Sequence, residues 1–177
     1  MPNTLAHNAL APLLALPPID RTRRNHGLEH ATITVLSQKY RGLSLVGRST
    51  PGGFYLHGQV STDAVTEAAH EALRRMKAGE VGLAVHPNCG TNFVTAGIAA
   101  GLAAFIGFLG ANDARHRFER LPIVAVLCTV ALIAAQPLGL ILQREVTTSG
   151  EMGDLQIVSI TRRQDGAMVT HMVTTVG

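Results

Sequence analysis

The run Asn92-Phe93-Val94-Thr95-Ala96-Gly97-Ile98-Ala99-Ala100-Gly101-Leu102-Ala103-Ala104-Phe105-Ile106-Gly107-Phe108-Leu109-Gly110-Ala111 carries no charged side chain, and its reading decides the fold. A helix needs about 20 apolar residues to cross the hydrocarbon core of a bilayer, whereas a helix buried in a soluble protein usually needs only about 10 to 14. A second uncharged run extends from Leu121 to Gln143. The sequence therefore predicts a transmembrane helical hairpin over residues 91–143. Two buried helices of a soluble protein are the alternative, which Gln136-Pro137 within the second run would suit. Gly97 and Gly101, with Ala96, Ala100 and Ala104, recur at four-residue spacing, and such small residues let two membrane helices approach closely.

The connection from Asn112 to Arg120 is short and charged. A hairpin leaves the segments before and after it on one side of the membrane. Nine of the fifteen Lys and Arg precede the hairpin, three follow it, and Arg115, Arg117 and Arg120 lie in the connection. The positive-inside rule then places the outer segments in the cytoplasm of a multi-pass protein of the cell membrane, although near the helix ends the balance is close. Charged residues make up 15% of the chain, below the globular average of about 25%, and tryptophan is absent. Cys89 and Cys128 are poorly placed to bridge, so a reducing compartment is compatible. The segment from Leu5 to Pro18 lacks a preceding basic residue and is broken by prolines, which argues against a cleaved signal peptide. It reads as an arm leading to Arg21-Thr22-Arg23-Arg24, which either rests on anionic headgroups or is a solvated arginine cluster.

The remainder, residues 1–90 and 144–177, reads as one soluble α+β domain. Asn25 is placed to cap a helix running through Leu36. Ser49-Thr50-Pro51-Gly52-Gly53 is turn chemistry between two strands. Ser61-Thr62-Asp63 starts a helix whose apolar positions Val65, Ala69, Ala72, Leu73 and Met76 recur at helical spacing, and Gly79 ends it. Val81 to Val85 reads as a short strand. Near the end, Leu155–Ile160 and Met168–Val173 flank Asp165-Gly166, a hairpin signal for a type I′ turn.

Within this domain His26-Gly27-Leu28-Glu29-His30 puts two imidazoles one helical turn apart on one face, where they can share a metal. Glu29 could accept a proton from an attacking water, the arrangement of the H-x-x-E-H motif. A carboxylate near a helix start also gains about 0.3 to 1 kcal/mol from the helix dipole without any catalytic role. His86-Pro87-Asn88-Cys89 adds a further imidazole and a potential thiolate, both zinc ligands by softness and charge. His26 and His30 with His86 or Cys89 would make an open, catalytic zinc site; all four would close it into a structural one. Asn88, Thr91 and Asn92 could donate hydrogen bonds around the site or cap the helix that begins there. His57, Glu71 and Glu80 are further candidate ligands.

Cys89, beside an imidazole and at a helix start, would also suit a thiol enzyme. Three readings therefore stand: a membrane zinc-dependent hydrolase, a non-enzymatic protein with a structural His/Cys site, and a Cys89-based thiol enzyme. The partners expected are membrane lipid and, as substrate, a membrane-protein peptide or a lipid headgroup. Peptide is favoured because strand edges can hold an extended chain. A homo-oligomer is compatible with the sequence, and no nucleic acid partner is expected.

His26, Gly27, Glu29 and His30, followed by His86, Pro87, Cys89, Gly90 and Thr91 and then by apolar helices, resemble a group of uncharacterised bacterial membrane proteins described as predicted metal-dependent enzymes. The resemblance extends from Arg24 to about Leu142. It implies the architecture and a metal site, and brings no substrate.

Overall fold

The computed structural model describes residues 10–177. By contacts it divides into two units, residues up to His86 with Arg144–Gly177, and Pro87–Gln143. The fold is α+β, as the sequence predicts. In the first unit, helix α1 spans Pro17–Lys39, strands β1 and β2 span Val46–Thr50 and Gly53–His57, and helix α2 spans Thr62–Lys77. A 3-10 turn follows at Val81–Ala84, and strands β3 (Gln156–Asp165) and β4 (Met168–Val176) close the chain. The second unit holds helix α3 (Gly90–Phe108) and helix α4 (Ala114–Leu142), which runs into a π-helical turn at Gln143–Thr147.

Helix α1 starts well before Asn25, correcting the expected cap. Pro17 and Pro18 stand at its first positions, where a preset φ and a missing N–H cost nothing. Asn25 is instead fully buried. Its Nδ2 donates to the carbonyls of Thr50 (2.9 Å) and Pro51 (3.3 Å), and its Oδ1 accepts from Thr175 Oγ1 at 2.7 Å. One side chain thus ties the helix to both hairpins. The arginine run is likewise committed within the protein. Arg21 donates to Thr175 O, Arg24 pairs with Asp20 and Asp154, and Arg23 binds three carbonyls described below. The expected arm falls partly outside the described residues, and residues 10–14 of it are helical.

The four strands form one antiparallel sheet in the order β1-β2-β4-β3, so β2 and β4 join the early and late parts of the chain. Phe54 and Leu56 of β2 and Val173 of β4 point to one face, where Leu28, Val35 and Leu36 of α1 and Val65 and Met76 of α2 complete a core with Met152 and Leu155. Ser61 Oγ caps α2 by accepting from Ala64 N at 3.2 Å. The β3–β4 loop is Gly166-Ala167, and only Gly166 has positive φ, +57°. That is the pattern of a type II′ turn, with glycine first, in place of the expected type I′.

Val81–Ala84 is not the expected strand. Gly82 weakens an extended segment, and Gly150, whose missing Cβ would lie 2.6 Å from Val81 Cβ, lets the 3-10 turn settle against residues 149–150. The turn places the Ala84 carbonyl near α1.

In the second unit, Asp113 caps α4 by accepting from His116 N at 2.8 Å, so the charged segment from Arg115 to Arg120 forms its first turns and not a loop. Arg120 donates to the carbonyls of Gly107 and Leu109 at the end of α3. The helices pack through Gly107, where a Cβ would lie 2.7 Å from Val124 Cγ2, and through Ala100, whose carbonyl lies 3.5 Å from Cys128 Sγ. Gly97 and Gly101 face away from that contact, contrary to their expected role. Both helices are long and apolar enough to cross a membrane. Phe93, Ile98, Leu102 and Phe105 of α3 and Ile123, Val130 and Ile133 of α4 are exposed, unlike residues of a soluble core helix.

His171 on β4 is fully buried, with Nε2 3.2 Å from Thr62 Oγ1 and no hydrogen-bond partner for Nδ1 among the described residues. Burial, assisted by the nearby Arg162 charge, holds its pKa below the ordinary value of 6.5. The neutral imidazole therefore favours the fold, and that stability is present above about pH 6.5 and is lost as pH falls from there toward the folded-state pKa. Thermal unfolding of the detergent-solubilised chain, followed from pH 8 to pH 5, is expected to show an acid-induced drop in midpoint that His171→Leu reduces.

Candidate metal centre

Helix α1 brings His26 and His30 together, with ring centroids 4.4 Å apart and planes inclined by 61°. His86, just after the 3-10 turn, places its ring centroid 5.8 Å from that of His30. Both helical histidines are oriented by main-chain carbonyls. His26 Nδ1 donates to Thr147 O at 2.9 Å, and His30 Nδ1 donates to Ala84 O at 2.7 Å. A ring nitrogen at that distance from a carbonyl carries the proton, and in a neutral imidazole the lone pair that a metal needs is then on Nε2.

The Thr147 carbonyl reaches His26 because residues 145–149 lie along α1. Arg23 donates to the carbonyls of Glu145 (3.3 Å), Val146 (2.8 Å) and Thr148 (3.1 Å), and the Ser149 N–H returns to Arg23 O at 3.0 Å. Gly27 makes the approach feasible, since a Cβ there would lie 2.1 Å from Ser149 O. The glycine of the His-Gly-x-Glu-His motif thus serves packing, and through it the orientation of the preceding histidine.

Glu29 is buried and lies more than three turns from the start of α1, beyond the reach of the helix dipole that would have given it a capping role. Its Oε2 accepts a short hydrogen bond from Ser49 Oγ on β1. Beside it, Gly47 has no side chain, and a Cβ there would lie 2.0 Å from Glu29 Oε1 and 2.3 Å from Cδ. Burial raises the Glu29 pKa, opposed by the Ser49 hydrogen bond and the nearby His26. Burial lowers that of His86, with the His30 charge acting in the same direction. The site thus combines a carboxyl group, Glu29, less acidic than usual with an imidazole, His86, less basic than usual.

By donor type, His26 and His30 of the first unit could each offer a ligand atom to a metal ion, and so could Cys89 of the second. Cys89 follows His86 by three residues and caps α3, its Sγ accepting from Thr91 N at 3.5 Å. Asn88 lies exposed in the turn before it. Asn92 belongs to the helical unit, donating to Pro87 O at 2.6 Å and accepting from the buried Gln143 at 2.6 Å. Three further candidates are placed elsewhere. His57 stacks on Tyr55 and bonds Thr170 Oγ1 at 2.9 Å on the sheet face opposite the core. Glu71 pairs with Lys39 at 2.8 Å, and Glu80 pairs with Arg75 at 2.6 Å.

Ser49, Gly47 and the carbonyls of Thr147 and Ala84 are not legible as site residues in the sequence. The one available signal is the two-residue spacing of Gly47 and Ser49, which puts both on the same face of β1 as the inward-facing Leu56 and Phe54 opposite them.

Over residues 21–160 the chain matches the family model described as Domain of unknown function (DUF6391). It is also similar to an uncharacterised protein of Picosynechococcus sp., 34% identical over 137 residues, which cover 72% of this chain and 65% of that relative. The chain therefore spans somewhat less than two thirds of that relative's length. No solved structure matches it. The family match covers most of α1, the 3-10 turn, both apolar helices and the start of β3, and the chain belongs to this family of unknown function, DUF6391.

Proposed function

We propose that this chain is an integral membrane, zinc-dependent hydrolase whose metal is held by His26, His30 and either Cys89 or His86, with Glu29 as general base. The observation that carries the reading is the pair of Nδ1 hydrogen bonds to main-chain carbonyls. A histidine serving only as core filling has no need of a fixed tautomer, whereas a ligand gains from one in both orientation and basicity. Two imidazoles with a thiolate or a third imidazole suit zinc.

Zinc held by these residues would supply a Lewis acid for a carbonyl or phosphoryl oxygen and would ease deprotonation of water. Glu29 takes the proton of the attacking water as its oxygen bonds to the electrophilic centre, and returns it to the leaving group as the scissile bond breaks. Ser49 and Gly47 set the position of that carboxylate, one by hydrogen bonding and the other by leaving room.

The membrane assignment rests on the length of α3 and α4 and on their outward-facing apolar side chains, which would be costly in water. The Lys and Arg outside residues 112–120 favour the cytoplasmic side for the first unit.

Elemental analysis of detergent-purified protein tests the metal. Near-stoichiometric zinc is expected in the wild type, lost in His26→Ala and in His30→Ala; metal-free protein purified without chelator would contradict the reading. Comparing Cys89→Ser with His86→Ala identifies the remaining ligand as the variant that loses zinc. Glu29→Gln should keep zinc and lose hydrolysis by roughly 10²- to 10⁴-fold, the usual contribution of a general base. Gly47→Ala, which crowds Glu29, should cost about 1–3 kcal/mol of stability and lower the rate while zinc is retained.

A further inference from the structure

The open edge of the sheet lies beside the candidate base. β1 is an outer strand of the sheet, and none of its five residues is buried. Its register with β2 determines which backbone groups are committed. The two-residue turn Pro51-Gly52 makes Thr50 and Gly53 a hydrogen-bonded pair, and alternation makes Arg48–Tyr55 and Val46–His57 such pairs too. The bonds from Thr175 N to Gly52 O and from Gly58 N to Val169 O agree, since they direct the even-numbered positions at both ends of β2 toward β4. The N–H and C=O groups of Gly47 and Ser49 therefore point away from β2, and among the described residues no backbone group pairs with them.

These are the same two residues that contact Glu29 from the core side. A fifth strand would lie about 4.8 Å from β1. It would exchange hydrogen bonds with the very residues that position the base.

We infer that the substrate of this site is an extended polypeptide segment, held by strand addition along the open edge of β1 through the backbone of Gly47 and Ser49. The inference rests on the hydrolase reading and gives it a substrate class. Main-chain pairing supplies affinity with little dependence on sequence, which suits a segment of another protein. A lipid headgroup has no array of alternating donors and acceptors to match this edge. Hydrolysis would add the water oxygen to the peptide carbonyl carbon, break the C–N bond and deliver the proton held by Glu29 to the departing amine.

The test uses the full, zinc-loaded chain in detergent and an apolar hexapeptide carrying one tryptophan, prepared as the hydroxamate and as the simple amide. The chain has no tryptophan, so peptide emission and anisotropy report binding directly. In hydrogen exchange of the wild type, the peptide amide should slow exchange in residues 46–50 and leave β3, the other outer strand, unchanged. Ser49→Pro removes an edge N–H without removing a hairpin bond, and Ser49→Ala controls for the lost hydroxyl. Ser49→Pro should weaken both peptides about tenfold relative to Ser49→Ala, the effect of one lost hydrogen bond. Protection on β3, no protection at all, or equal affinities of the two folded variants would overturn the inference. The metal reading fails separately, when the hydroxamate binds no more tightly than the amide while residues 46–50 are still protected.

Discussion

Everything around the two helical histidines depends on how closely residues 145–149 approach helix α1. The approach is possible only because position 27 has no side chain; a methyl group there would fall 2.1 Å from the Ser149 carbonyl oxygen. Arg23 holds the segment by gathering three of its carbonyls, and the Ser149 N–H closes the contact. With a guanidinium donating at several points the arrangement is stronger than neutral hydrogen bonds alone would make it. The Thr147 carbonyl is thereby fixed against His26, and the 3-10 turn, itself admitted by Gly150, fixes Ala84 against His30.

The result is a polar cluster on an otherwise apolar helix face. His30 and Glu29 are buried among Leu28, Ala31 and Val35, and burying such groups costs free energy unless each is hydrogen-bonded. Their partners come from three separate parts of the chain: β1 for Glu29, the 3-10 turn for His30 and residues 145–149 for His26. An apolar helix face would be simpler to stabilise. The proposed metal centre would use every one of these side chains, which gives the cost and the convergence of partners a reason.

Much of this was legible in the sequence. The two apolar runs, the His-Gly-x-Glu-His spacing and the hairpins were readable because each depends on local periodicity or turn chemistry. Asn25 misled because a residue suited to helix capping is equally suited to bridging buried carbonyls, and only the three-dimensional partners Thr50, Pro51 and Thr175 decide between them. Val81 to Val85 misled because β-branched residues around a glycine read as a strand until their packing is known. Gly97 and Gly101 have the spacing of a helix contact, but their face of α3 is not the one presented to α4. Ser49 and Gly47 were illegible for a deeper reason: they meet Glu29 across 18 to 20 residues of sequence, and no local pattern encodes that meeting.

In the proposed centre the Nδ1 atoms of His26 and His30 stay on their main-chain carbonyls while Nε2 of each coordinates one metal. Zinc-edge X-ray absorption of the detergent-purified protein tests it most directly. The expected result is a four-coordinate shell with at least two imidazole nitrogens at about 2.0–2.1 Å, together with a sulfur at about 2.3 Å if Cys89 is the third ligand. A shell of oxygen donors without imidazole scattering, or one unchanged in His26→Ala, would contradict it.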